Sequence, residues 1–253
     1  MESHGAADRI AVMIDADNTR PAYADEVLGE VAKYGDPTIR RVYGDWTNPH
    51  LTQWARKLNR LGLRAMHQNA YTSGKNSTDL ALVIDAMDLL YDGNVEAFAL
   101  VTSDSDFTSL AHRLRESGKT VYGFGRRKTP EPLQNACDRF VFLENLSAAE
   151  PSTEEPAAPL PDLRTILTQA IDDTSADDGW SNLGGVGSVL GNRYPSFDSR
   201  SYGFPRLTAL VEAQDYLDLV QSDHGSSRVR LRSSRPAKKA AARKRTAKKA
   251  QSG

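Results

Sequence analysis

The chain has 253 residues and a formal net charge of −1, a total that hides a division. From Arg228 onward there are 11 basic residues and no acidic one, so the preceding chain sets 21 basic against 33 acidic residues, a net of −12. An acidic body with a cationic tail points toward nucleic acid or an anionic surface, while 39% apolar and 8% aromatic residues exclude a wholly disordered chain.

The first nine residues carry neither the basic nor the apolar region of a signal peptide. No apolar run reaches the roughly 18 residues that span a bilayer. The expectation is a cytoplasmic protein with no membrane partner. Strands are predicted at 10–14, 39–43, 63–66, 97–101, 120–124 and 140–143, and helices between them at 22–33, 49–61, 77–91 and 107–117. For the third helix the spacing selects Leu80, Val83, Ile84, Met87 and Leu90 or Tyr91 as one apolar face. Asn48 before Pro49 reads as an N-cap followed by proline in the first turn, and Gly62 and Gly118 as helix stops. Strands alternating with helices imply an α/β domain with a parallel sheet covered on both faces. The one cysteine, Cys137, excludes an internal disulfide and reads as a buried small hydrophobe.

Residues 146–161 are rich in Pro, Ala, Ser and Glu and read as a linker. Beyond it, helical stripes at Leu163, Ile166, Leu167, Ala170 and Ile171, then Leu183, Val186, Val189 and Leu190, then Leu207, Leu210 and Val211 precede two alternating segments, 216–220 and 228–231. Asp223, His224 and Gly225 mark the hairpin turn between those segments. Three helices and a hairpin in about seventy residues describe a small winged-helix domain over 162–232. Residues 233–253 are a low-complexity basic tail that binds polyanions without sequence preference.

Two acidic clusters follow strands: Asp15, Asp17 and Asn18 after the first, and Ser103, Asp104 and Asp106 after the fourth. In open parallel sheets, ligands bind beyond the carboxyl ends of the strands where strand order reverses. If the two strands are neighbours, both clusters face one crevice, and Asp79 at the start of the third helix lies at the same end. Clustered carboxylates repel and need a cation or shared protons. Oxygen donors without Cys or His favour Mg²⁺ or Mn²⁺ over zinc. Capping of the following helices is the ordinary alternative use of such residues.

These residues also carry a resemblance. MIDADN at 13–18, GKNSTDLALVIDAMDLL at 74–90 and TSDSDF at 102–107 resemble the NYN domain, the LabA-like branch of the PIN-type nuclease superfamily. The resemblance spans residues 8–145 and implies a PIN-like, Rossmann-like domain that cleaves RNA with Mg²⁺ or Mn²⁺. It makes Asp15, Asp79, Asp104 and Asp106 the metal and catalytic residues, with Asn18 orienting phosphate or water, Ser103 lining the pocket and Asp85 a further carboxylate. Some NYN-like proteins bind RNA without cutting it, so a catalytically silent RNA-binding or scaffold protein is the alternative. The run Asp15, Asp17, Thr19 also fits the DxDxT signature of haloacid-dehalogenase-like phosphotransferases, which would make Asp15 a nucleophile; that reading leaves Asp79 without a role.

Arg126, Arg127 and Lys128 follow the fifth strand, and Lys75 precedes Asp79 by four residues. All four are candidates for holding phosphates, while Trp46 and Tyr71 are candidates for stacking on bases. The module after the linker resembles an OST-HTH/LOTUS domain, on Leu163–Leu167, Asp178 to Trp180, Pro195 to Asp198, Tyr202 to Phe204 and Val229 to Leu231. That resemblance implies binding of RNA or of an RNA-processing protein. A homodimer is a further expectation.

Overall fold

The computed structural model describes residues 8–67, 77–146, 160–221 and 226–232. Lys75, Tyr71, the predicted hairpin turn at 223–225, most of the linker and the basic tail lie outside these residues. β1 (Arg9–Asp15), β2 (Asp36–Gly44), β3 (Arg64–His67), β4 (Ala97–Val101), β5 (Thr120–Gly125) and β6 (Arg139–Phe142) form one sheet in the order β3-β2-β1-β4-β5-β6. Every pairing is parallel. From β1 the chain winds toward β3, and from β4 it winds toward β6, so strand order reverses between them. The condition set by the two acidic clusters is met: β1 and β4 are neighbours, with Ile14 opposite Val101.

Alternation along β1 divides the core between the two faces of the sheet. Ala11 and Met13 pack with Leu82, Ala86 and Leu89 of α3 (Ser77–Asp92), with Leu110 and Leu114 of α4 (Thr108–Glu116), and with Leu133 and Ala136 of α5 (Glu131–Ala136). Ile10, Val12 and Ile14 pack on the other face with Val27 and Val31 of α1 (Ala24–Val31) and Trp54 of α2 (Thr52–Leu61). Burying each of the larger aliphatic side chains stabilises the fold by roughly 1.5–3 kcal/mol. Asn48 caps the turn that opens α2, accepting from the His50 amide at 3.1 Å, and Gly62 ends the helix in the left-handed conformation at φ 62°. Cys137 is fully buried, and its surroundings push the thiol up to about 12.

The predicted face of α3 is corrected. Leu82, Ala86, Leu89 and Leu90 are the buried positions, whereas Leu80, Ile84 and Tyr91 are 59%, 54% and 74% exposed. Val83 and Met87 pack at the margin of the core. The helix carries apolar residues on more than one side, so its periodicity admits more than one stripe, and the sheet selects the one whose centre is the small Ala86. α5 was not predicted as a helix, because six residues are too few to show a period.

The second module contains α6 (Leu163–Thr174), β7 (Ser181–Asn182), α7 (Leu183–Arg193), α8 (Leu207–Glu212), β8 (Leu217–Gln221) and β9 (Ser227–Leu231). The strands form an antiparallel sheet in the order β7-β9-β8, so the expected three helices and strand pair are joined by a short third strand. α7 forms despite its glycines: the Asn182 side chain caps it on the Gly184 amide at 2.9 Å. At Gly187 a Cβ would come within 3.2 Å of Leu207 Cδ2. The module docks on the first domain where the Phe140 amide donates to the Pro195 carbonyl at 2.8 Å and Asn145 Nδ2 donates to Ser201 Oγ at 2.8 Å. No helix among the described residues is long and apolar enough to cross a membrane.

Candidate functional site at the carboxyl ends of β1 and β4

Asp15 ends β1 with no exposed surface. Its Oδ1 accepts the backbone N–H groups of Asp17 (3.1 Å) and Asn18 (3.2 Å). Its Oδ2 accepts Asn18 Nδ2 and Thr102 Oγ1, both at 2.8 Å. A carboxylate offers about four lone-pair directions, and donors from this chain take all of them. Burial raises the carboxyl above its ordinary range, opposed by the bonds from Thr102 and Asn18. Asp15 therefore ties the loop after β1 to the loop after β4, with Asn18 as part of the same tie.

The Thr102 hydroxyl also accepts the Asp104 amide at 3.1 Å, and Asp104 Oδ1 accepts the Asp106 amide at 2.9 Å. Asp104, not Asp106, is thus the side-chain cap of the turn leading into α4. Asp106 is exposed. Asp79, in the first turn of α3, faces this group: its carboxyl is raised to about 6, first by burial and then by repulsion from Asp15, Asp104, Asp17 and Asp106. Asp17 is raised by burial and by Asp45, against a hydrogen bond with Thr78.

The expected ligands Asp15, Asp79, Asp104 and Asp106 thus share one electrostatic field. They do not form a cage: among the described residues, no group of three or more His, Cys, Asp or Glu side chains is arranged to hold a metal ion. The reason lies in the hydrogen bonds just given, which turn Asp15, and one oxygen of Asp104, onto the chain itself. What the donor set retains in favour of a hard cation is its chemistry, all oxygen, and the unrelieved repulsion at Asp79.

The remaining candidates separate. Ser103 Oγ accepts the Arg126 amide at 2.9 Å, joining the loops after β4 and β5. Arg126 lines a cleft of about 940 Å³ together with Asp17, Asn18 and Thr78. Arg127 turns elsewhere: its amide donates to Glu144, its guanidinium donates to Asn145 Oδ1 at 3.2 Å, and it lines a different cavity beside Tyr202. Lys128 is exposed. Asp85 is engaged by Arg41 and Tyr43 on β2, which makes it a structural partner of the sheet. Trp46 donates from Nε1 to the Met66 carbonyl at 2.9 Å and packs on the core, so it is a lid and not a free stacking platform. Thr19 Oγ1 is buried on the Val101 carbonyl at 3.2 Å, a use that the DxDxT reading does not require. Residues passed over in the sequence include Arg20, His50 and Trp54 along the cleft, which no spacing marks.

The profile of the NYN domain matches residues 9–144, and that of the OST-HTH/LOTUS domain matches residues 154–229. An uncharacterized protein of Methanocaldococcus jannaschii is 29% identical over 141 residues, which are 53% of this chain and 55% of that protein. The chain thus spans about half the length of that relative. A Vibrio parahaemolyticus protein of unknown function, solved by crystallography, aligns with 22% identity and a TM-score of 0.45 over 55% of this chain and 94% of that one. Uncharacterized domains from Nitrosomonas europaea and Chromobacterium violaceum, solved by NMR, are 30% and 36% identical with TM-scores of 0.27 and 0.26. They cover 34% and 31% of this chain, and 88% and 89% of their own.

Proposed function

Given that the chain belongs to the NYN family and carries an OST-HTH/LOTUS domain behind it, we propose that it is an RNA-binding protein of nuclease-type fold. In this reading an RNA strand lies over the crevice at the ends of β1 and β4, and the second module holds RNA or an RNA-processing partner. The observation that carries it is the use of Asp15: its four acceptor directions are filled by Asp17, Asn18 and Thr102, so it ties together the two loops that border the crevice. The winged-helix module adds a surface suited to nucleic acid, with Arg230 at 4.5 Å and Arg228 at 5.9 Å over the Trp180 ring.

A second reading, metal-dependent hydrolysis of RNA, is favoured by Asp79. Burial first, and then repulsion from four other carboxylates, hold its own up to about 6, and a divalent cation relieves that repulsion. Asp79, Asp104 and Asp106 would hold Mg²⁺ or Mn²⁺, which when bound supplies an activated water and charge stabilisation at phosphate. Asp15 then acts as a positioning residue, fixing Asn18 and Thr102 beside the substrate. The haloacid-dehalogenase-like alternative is set aside by the family and by the buried Thr19.

The test uses purified protein and labelled single-stranded and structured RNAs, first in EDTA. Retention of RNA by wild type and Asp104→Asn alike is expected, and absence of binding to every RNA overturns the proposal. Addition of Mg²⁺ or Mn²⁺ then separates the readings: cleavage by wild type that Asp104→Asn lacks establishes the hydrolase.

A further inference from the structure

Five buried side-chain polar atoms lack a hydrogen-bond partner among the described residues: Glu26 Oε2, Trp54 Nε1, Arg126 Nε, Thr129 Oγ1 and Tyr216 OH. The two that are nitrogen donors, on Trp54 and Arg126, belong to residues lining one cleft, the 940 Å³ space that opens beside Asp17, Asn18 and Thr78. Buried polar groups in native proteins are almost always paired. Trp54 has no exposed surface at all, so its N–H is sealed in the wall of the cleft, whereas Arg126 is half-buried and opens onto it.

Among the described residues Arg126 has no carboxylate partner, unlike the partly buried Arg41 and Arg200, which are paired with Asp85 and Glu30. Arg126 is half-buried, its Nε lacks a partner, and its backbone amide donates to Ser103. A desolvated guanidinium is costly unless an anion accepts from it. Arg20 brings a second cation to the cleft. Asp17 and Asp45 line it as well, so it carries both signs and suits a ligand that is anionic at one point only.

We propose that this cleft is a phosphodiester subsite for an RNA strand passing the acidic crevice, with the Arg126 guanidinium as donor to phosphate oxygens and Arg20 at its mouth. The inference rests on the RNA-binding reading, and adds to it the place and donors of one phosphate beside, not over, the carboxylates. Arg126 supplies a charge-assisted bond, and loss of a phosphate-neutralising charge lowers both the affinity and the salt dependence of binding.

The experiment titrates the full-length protein with a fluorescently labelled uridine octamer in EDTA, so that nothing is cut, at several salt concentrations. Arg126→Ala is expected to weaken binding about tenfold and to reduce the slope of log affinity against log salt by about 0.7. Arg126→Lys is expected to keep the slope while recovering only part of the affinity. Circular dichroism confirms folding, and should Arg126→Ala fail to fold, the Lys variant decides. Wild-type affinity in all folded variants overturns the subsite and leaves RNA binding intact. No binding by wild type overturns both.

Discussion

The guanidinium of Arg200 in the winged-helix module grips both oxygens of Glu30 on α1, at 2.9 and 3.2 Å, across 170 residues of sequence. Glu30 also accepts from Lys33 Nζ at 2.6 Å and Tyr34 OH at 3.0 Å, and Arg200 is held in place by Asp198 at 2.6 Å. These partners outweigh burial and bring the Glu30 carboxyl down from its ordinary value of 4.5 to about 2. A depressed carboxyl stabilises the fold above its unfolded value and loses that contribution as pH falls through the folded one. Docking of the two modules should therefore be intact at neutral pH and weaken between about 4.5 and 2. Arg200→Ala should lower the melting temperature at pH 7 and flatten its fall toward pH 3, measured by thermal unfolding across that range; an identical pH profile in both proteins would contradict the assignment.

Asp79 carries the opposite sign. Its carboxyl is raised to about 6 from an ordinary 3.8, so ionisation costs stability once pH rises above the ordinary value, and the full cost is reached above 6. Asp79→Asn is expected to raise the melting temperature at pH 7.5 and to leave it unchanged near pH 3.5. Scanning calorimetry at the two pH values checks the prediction, which fails if the gain is as large in acid.

Removing the Asp15 carboxylate leaves the Thr102 hydroxyl and the donors of Asn18 and Asp17 without their acceptor. Unpaired buried donors cost about 1–3 kcal/mol each, so Asp15→Ala should destabilise the first domain by at least ~2 kcal/mol in urea unfolding. A change below about 0.5 kcal/mol, the level of an ordinary surface substitution, would show that the tie between the two loops is dispensable.

The two sides of α3 give a direct test of its orientation. Leu82→Ala should cost about 2–5 kcal/mol, as core truncations do, whereas Leu80→Ala should stay within about 0.5 kcal/mol. Equal losses would contradict the assignment of Leu82 to the core and Leu80, at 59% exposure, to the surface.

The cationic tail supplies eight Lys and Arg residues from Arg235 onward. Deleting 233–253 should weaken RNA binding and shorten its salt slope, since each neutralised phosphate contributes about 0.7 on a single strand. The melting temperature should not move. Loss of folding on deletion would contradict the division of labour between tail and body.

All six strands of the parallel sheet were legible in the sequence: the central β1 and β4 are short apolar runs buried almost throughout, and the other four carry apolar residues between breakers. The carboxylates at one end of the sheet were legible for a related reason: a residue directly after a strand has a known place in an α/β fold. The buried face of α3 was not, because its apolar residues fall on more than one side, and neither was the cleft beside Trp54, whose lining comes from the loops after β1, β2 and β5 and the starts of α2 and α3.

Local spacing therefore dictated the elements, their order, the alternation of the sheet core and the acidic character of its crevice, since these depend on neighbours within a few positions. Only the folded chain decided that Asp15 is consumed by Thr102 and Asn18, that Asp85 belongs to Arg41 and Tyr43, that Arg126 faces a cleft while Arg127 turns to Asn145, and that Arg200 closes on Glu30. Each of these depends on which long-range partner reaches a hydrogen-bonding group first, and a carboxylate or guanidinium carries no mark in the sequence of the partner that will claim it.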